Sequence, residues 1–214
     1  MTHALPLWTI RGPRAGSLKW FSLASMILLV SMSLVLAGCS FASFVAAAEA
    51  DLPVVIQMVS NLTSLAIPGF TLPLQAGGAL ALASLQILCG TPAPGAKQCD
   101  PTSLVGQYQT ATDTATRMSL LQKCQAALLT ANGHISSILQ LASGLPPADG
   151  AAIVTGLGLA LSTVTAILSM IPPSANPTVL GATLKKATMP PPADKLKLAF
   201  NTAVGGQYAA AVIH

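Results

Sequence analysis

Few side chains in this sequence could carry out acid–base, nucleophilic or metal chemistry. The 214 residues include six Asp and Glu, three His and four Cys, and His134 is the one histidine away from the chain ends. No second metal ligand lies three or four residues from His134, so we interpret it as an ordinary histidine near the start of a helix. The sequence also lacks the G-x-S-x-G and H-E-x-x-H motifs. We therefore expect no catalytic residue, no metal site, no cofactor and no enzymatic activity.

The cysteines are the residues with the clearest chemical potential. Cys89 and Cys99 flank a short loop rich in Pro and Gly, and an exported compartment would allow them to form a disulfide. If residues 101–130 form one helix, Cys124 lies roughly 37 Å from Cys99, far beyond disulfide reach. We therefore predict a Cys89–Cys99 disulfide, and we expect Cys124 to be a small buried hydrophobe on the apolar stripe of that helix.

The N-terminal region has the organisation of an export signal. Three basic residues, Arg11, Arg14 and Lys19, precede a run without charge from Phe21 to Gly38. A basic segment followed by an apolar one is typical of a signal peptide. Because the apolar run is also about long enough to cross a bilayer, its hydropathy alone does not distinguish a cleaved signal from a retained anchor.

The residues that end this run, Leu36-Ala37-Gly38-Cys39, resemble the lipobox of bacterial lipoprotein precursors. The resemblance covers residues 1–39 and implies that residues 1–38 are a signal peptide, and that Cys39 becomes an acylated N-terminus anchored in the membrane. Ser40, rather than Asp, would favour the outer membrane, facing the periplasm, in a host with two membranes. The alternatives are ordinary secretion with cleavage after Ala50, or a retained membrane anchor.

Charge argues against a nucleic-acid partner. Removing the three basic residues of the leader from the ten in the chain leaves seven, against six acidic residues. The remaining chain thus has no basic excess with which to bind phosphates. It also has long stretches without charge, 52–96 and 150–184, whereas about a quarter of the residues in an ordinary domain are charged. We expect some apolar surface to face a membrane or another partner.

The periodicity of apolar residues predicts an all-α fold, a small bundle of about five to six helices joined by Pro-rich loops. Residues 39–50 are interpreted as a tether and 51–214 as a single helical domain. The first helix is expected to begin at Asp51, with Pro53 in its first turn. Residues 75–88 are apolar almost all round and are predicted to be a buried helix.

The later part of the chain predicts four further helical regions. A long helix from residue 101 to 130 should carry an exposed Asp113–Arg117 pair and end or kink at Asn132-Gly133. A shorter helix is expected from His134 to Ala142. Residues 151–171 are uncharged and favour a central helix of the bundle over a membrane span. A Pro-rich linker, 172–192, then precedes an amphipathic last helix that continues past Gly205-Gly206.

These features favour a lipid-anchored envelope protein of structural or interaction type. The first alternative is a carrier that encloses an apolar ligand or lipid in a helical cavity. The second is an integral membrane protein with spans near 21–44 and 151–171. The expected partners are the membrane, through Cys39, and an envelope protein or apolar ligand.

Overall fold

The computed structural model describes residues 42–91, 98–171 and 189–213. All of them belong to the second of two units into which the chain divides, Met1–Cys39 and Ser40–His214. The described residues contain six α-helices and no strand, which confirms the predicted all-α bundle. The helices are α1 (Ala42–Thr63), α2 (Thr71–Cys89), α3 (Leu104–Thr110), α4 (Thr114–Ala142), α5 (Pro147–Ser169) and α6 (Ala193–Val204), followed by a 3-10 turn at Ala209–Ala211.

The first helix is the most deeply buried of the bundle, and it begins nine residues earlier than the sequence predicts. Phe44 and Ala48 are fully buried in the core, so the predicted tether does not extend over residues 42–50. Asp51 and Pro53 consequently lie inside the helix and not at its start. A proline there removes one backbone hydrogen bond, and the apolar contacts on both sides of it hold the helix together.

The second helix returns along the first after a short turn. Gly69 adopts a positive φ of 81° in that turn, and the Thr71 hydroxyl accepts a hydrogen bond from the Ile67 amide (2.9 Å). Further along α2, the backbone of Gly78 lies so close to Thr63 that a Cβ at this position would overlap the threonine side chain. Small residues therefore allow the close approach of α1 and α2, and α2 packs against α4 on another side.

The long helix predicted over residues 101–130 is divided into α3 and α4 at Ala111–Asp113. The predicted Asp113–Arg117 pair is not what stabilises this point. Asp113 instead caps α4 by accepting hydrogen bonds from the amides of Ala115 and Thr116, while Nε of Arg117 donates to the Ala111 carbonyl (2.7 Å). A carboxylate used as an N-cap satisfies free amide groups of the first turn, which an i,i+4 ion pair would leave open.

The predicted helix end at Asn132-Gly133 is also wrong, because α4 continues through it for nine more residues, to Ala142. Ala131, Ile135 and Ile138 are fully buried on both sides of the glycine. Burial of this apolar stripe outweighs the roughly 1 kcal/mol that a glycine costs inside a helix.

The fifth helix lies between α4 and α6, as a central bundle helix should. Gly156 faces Leu62 of α1 and Phe200 of α6, so α5 contacts both helices at this level. The helix starts at Pro147, and Asp149 lies in its first turn.

The last helix is shorter than predicted. It ends at Val204, where Gly205-Gly206 begins a turn, since two consecutive glycines disfavour the helical backbone. The chain then folds back, and the side chain of Asn201 holds both backbone groups of Ile213, at 2.9 Å each. Of the predicted Pro-rich linker, residues 172–188 lie outside the described residues, and residues 189–192 lead into α6.

Candidate functional site

The structure joins Cys89 and Cys99, the pair that the sequence predicts, with an S–S distance of 2.08 Å and a Cα–Cα distance of 4.4 Å. The Asp100 amide donates to the Cys89 carbonyl (2.8 Å), which holds the two ends of the loop together. The sulphur atom of Cys99 also lies 3.8 Å from the Ala48 carbonyl oxygen. The disulfide therefore lies at the C-terminal end of α2, against the N-terminal half of α1.

Cys39, the predicted site of lipidation, lies outside the described residues. Only three residue steps separate it from Ala42, where α1 begins. Three extended residues span at most about 10 Å, which is the longest separation that the covalent chain permits between Cys39 and the start of the bundle.

Cys124 is fully buried on α4 and is not part of a disulfide. Burial raises the pKa of its thiol to about 12, so the reactive thiolate is strongly disfavoured. This is the inert, core-facing cysteine that its position on the apolar stripe predicts.

His134 lies half-buried on α4. In residues 42–91, 98–171 and 189–213, no three His, Cys, Asp or Glu side chains lie close enough together to hold a metal ion. His134 therefore belongs to no such group among the described residues.

Asp51 is the most unusual polar residue of the core, and the sequence analysis did not identify it as buried. Its side chain is 3% exposed, and one carboxylate oxygen, Oδ1, has no hydrogen-bond partner. Burial raises the pKa of this carboxyl group to about 6. Leu52 and Val55, both fully buried, lie in the adjoining part of α1. Had the helix been predicted to begin before Asp51, this residue would have been placed inside it, beside these apolar neighbours.

A second acidic residue, Asp149, joins the start of α5 to the C-terminal segment. Its Oδ1 accepts hydrogen bonds from the Tyr208 hydroxyl (2.9 Å) and from the side-chain Nε2 of Gln207 (3.2 Å). Burial and the hydrogen bond to Asp149 raise the pKa of Tyr208 to about 12. The Tyr208 hydroxyl therefore keeps its proton near neutral pH and remains a hydrogen-bond donor to Asp149, which suits a structural link.

A groove of about 420 Å³ lies where α3 meets α4. Its lining is largely polar: Gln107, Thr110, Ala111, Thr116, Ser119, Leu120 and Lys123. A lipid carrier requires a cavity with a mainly apolar lining, so this polar groove is not suited to holding a lipid.

The outer surface of α2 is apolar, contrary to the prediction that the helix is buried all round. Its exposed residues recur at steps of three and four and form one stripe, which we call the α2 face: Leu72, Ala76, Ala79, Leu80, Ala83 and Ile87. Leu72, Leu80 and Ile87 are 79%, 55% and 58% exposed. Gln75 and Gln86 are the exposed polar side chains of the helix.

The outer surface of α5 provides a contrast within the same chain. Its exposed positions include Thr155, Ser162 and Thr165, and each hydroxyl donates to a backbone carbonyl of its own helix at 2.8 or 2.9 Å. Asn132 of α4 also donates to the Thr165 hydroxyl (2.7 Å). The exposed positions of α5 thus include several hydroxyl groups, whereas the α2 face consists of alanines and three larger apolar side chains.

Three of the described helices, α1, α2 and α5, are long and apolar enough to cross a membrane by length and composition. These helices could fit a membrane association. The chain matches no protein-family model, no curated protein and no solved structure.

Proposed function

We propose that this chain is a lipid-anchored protein of the bacterial cell envelope, with Cys39 carrying the acyl anchor and the helical bundle serving a structural or interaction role and no enzymatic one. The observation that carries the proposal is Leu36-Ala37-Gly38-Cys39 at the end of a charge-free apolar run. Several acyl chains, at about 0.8 kcal/mol per buried methylene, would give a stable anchor.

Two structural observations support this proposal. A disulfide between Cys89 and Cys99 suits an oxidising compartment outside the cytoplasm. The position of α1 also argues against the alternative cleavage after Ala50, because that cut would remove Phe44 and Ala48 from the core. Cleavage before Cys39 leaves the whole of α1 intact.

The test is the intact mass of the protein extracted from membranes, measured beside the Cys39→Ala and Ser40→Ala variants. We expect the wild type and Ser40→Ala to have the mass of residues 39–214 plus acyl chains, because Ser40→Ala leaves the lipobox residues in place. Cys39→Ala should lose this species. An unacylated product that begins at Asp51, or an uncleaved chain, would contradict the proposal.

The outer membrane is the proposed location if the host has two membranes, because Ser40 follows the cysteine. A Ser40→Asp variant should then shift from the outer-membrane to the inner-membrane fraction of a density gradient, while its acylated mass is retained. An acylated wild-type protein already in the inner-membrane fraction would limit the proposal to the envelope as a whole.

The two alternatives draw less support from the described residues. The groove between α3 and α4 is polar, so it does not favour a carrier of apolar ligands. The hydroxyl-bearing outer surface of α5 disfavours a span near 151–171. A Cys39→Ala protein that resists alkaline extraction from membranes would favour the integral alternative over the acyl anchor.

A further inference from the structure

We propose that the α2 face lies on the surface of the bilayer in which the chain is anchored. The bundle would then be attached at two points, the lipid on Cys39 and the apolar stripe from Leu72 to Ile87. This inference rests on the proposed function for the anchor, and it adds the orientation of the bundle on the membrane.

The first argument is the chemistry of the face. A helix of this length places Leu72 and Ile87 roughly 22 Å apart, with apolar side chains along the whole distance. No charged residue lies between Asp51 and Lys97, so no charge on α2 would have to leave water when the face meets lipid. Large apolar side chains elsewhere on α4 and α6 are exposed singly, as on ordinary surfaces.

The second argument is the position of the face relative to the anchor. The contact between Cys99 and Ala48 brings the C-terminal end of α2 to the N-terminal half of α1. Ile87, two residues before that end, is therefore on the part of α2 nearest the start of α1. Since Cys39 lies at most about 10 Å of chain from Ala42, an acyl anchor holds this end of the α2 face close to the bilayer.

The third argument is the high local concentration that the anchor imposes. A surface tethered beside the bilayer meets lipid at an effective concentration that a free partner in solution does not reach. Exposed positions of α5 carry hydroxyl groups, whereas every residue of the α2 face is apolar, so the α2 face gains more from this proximity.

The test compares two variants, each with one added cysteine at an exposed position that normally carries a small side chain. Ala83→Cys places a thiol on the α2 face and Ser162→Cys places one on the outer surface of α5. Each full-length protein is reconstituted in vesicles and labelled with an environment-sensitive fluorophore. Half of the vesicles contain lipids with a nitroxide on the acyl chain, which quenches fluorophores in the membrane. The unmodified chain is the labelling control, because Cys124 is buried and Cys89 and Cys99 are paired.

We expect the probe at position 83 to emit at shorter wavelength than the probe at 162, and to lose most of its fluorescence with the nitroxide lipids. Vesicle-bound protein with equal emission and no quenching at both positions overturns the proposal and leaves the anchor intact. Blue-shifted emission at 83 without lipid quenching also overturns it, because a second copy or another protein then covers the face.

Labelling of the unmodified chain at Cys39 would show that the anchor is wrong, because an acylated cysteine has no free thiol. The same comparison is then made in a Cys39→Ala background. Lipid quenching at position 83 in that background would support contact of the α2 face with the bilayer without the anchor. No quenching there would contradict both the surface contact and the anchor.

Discussion

At the residue scale, Asp51 shows how strongly position decides chemistry. Asp113 and Asp51 have the same side chain and both seem suited to cap a helix. Asp113 does so in water, where hydrogen bonds from the side chain and backbone of Thr116 and from the Ala115 amide lower its pKa. Asp51 lies inside α1 with an unpartnered oxygen, and burial raises its pKa to about 6. At Asp51 the sequence pattern, an acid two residues before a proline, is typical of a helix start and gave no sign of burial.

The raised pKa of Asp51 makes stability depend on pH. Its folded-state pKa lies above the unfolded value of 3.8, so the folded protein binds this proton more tightly. The charged form therefore destabilises the fold above pH 6, by on the order of 2 to 3 kcal/mol, and this cost disappears as the pH falls towards 4. We expect Asp51→Asn to increase the free energy of unfolding at pH 8 and to have a much smaller effect at pH 4.5.

Urea unfolding of detergent-solubilised protein at the two pH values would measure this difference. Asp113→Asn is the control, because asparagine also caps helices well and the pKa of Asp113 is shifted in the opposite direction. Equal effects of Asp51→Asn at both pH values would contradict the assignment of a buried, titrating carboxyl group.

At the element scale, the presence of most helices was predictable from the sequence, whereas their ends and their exposed faces were not. Apolar periodicity identified most of the helices, because a 3.6-residue period requires little knowledge of the partners. It failed for α2, where an apolar composition was interpreted as burial although one face is open. It also failed at Gly133, where contacts of Ile135 and Ile138 with the core extend α4 beyond a sequence signal for its end. Such outcomes depend on tertiary packing.

The glycines provide a matched test of this packing. A Cβ at Gly78 would overlap the stiff side chain of Thr63, so Gly78→Ala should destabilise the protein by about 1 to 3 kcal/mol. Gly133 lies inside α4 with open space around it, so Gly133→Ala should stabilise the protein by up to about 1 kcal/mol. Thermal unfolding of both variants checks the opposite signs. Stabilisation by Gly78→Ala would show that α1 and α2 are further apart than described.

At the scale of the whole molecule, the disulfide has more than a local effect. It closes a loop with a sequence separation of 10 between α2 and the segment that leads into α3, and it lies against α1. Loop closure of this length contributes about 2 to 3 kcal/mol. We expect the Cys89→Ser, Cys99→Ser double variant to lose that amount in denaturant unfolding. A reducing agent should destabilise the wild type equally and leave the double variant unchanged.

The pairing was predictable from the short loop, although one premise was wrong, since residues 101–130 form two helices. The candidate surface was less predictable. The lack of charge between residues 52 and 96 indicated that some apolar surface faces a partner, but only the packing of α1 and α4 on α2 determines which residues remain outside.

The burial of Cys124 has a consequence for how the chain matures. The three cysteines that follow Cys39 can form three different disulfides in the unfolded chain. Both wrong pairs use Cys124, which is 25 residues from Cys99 and 35 from Cys89. The correct pair closes the shortest loop and forms fastest by proximity. Once α4 packs, Cys124 is withdrawn from exchange because its thiolate is suppressed. Helix packing thus protects the correct disulfide from reshuffling once the bundle is formed.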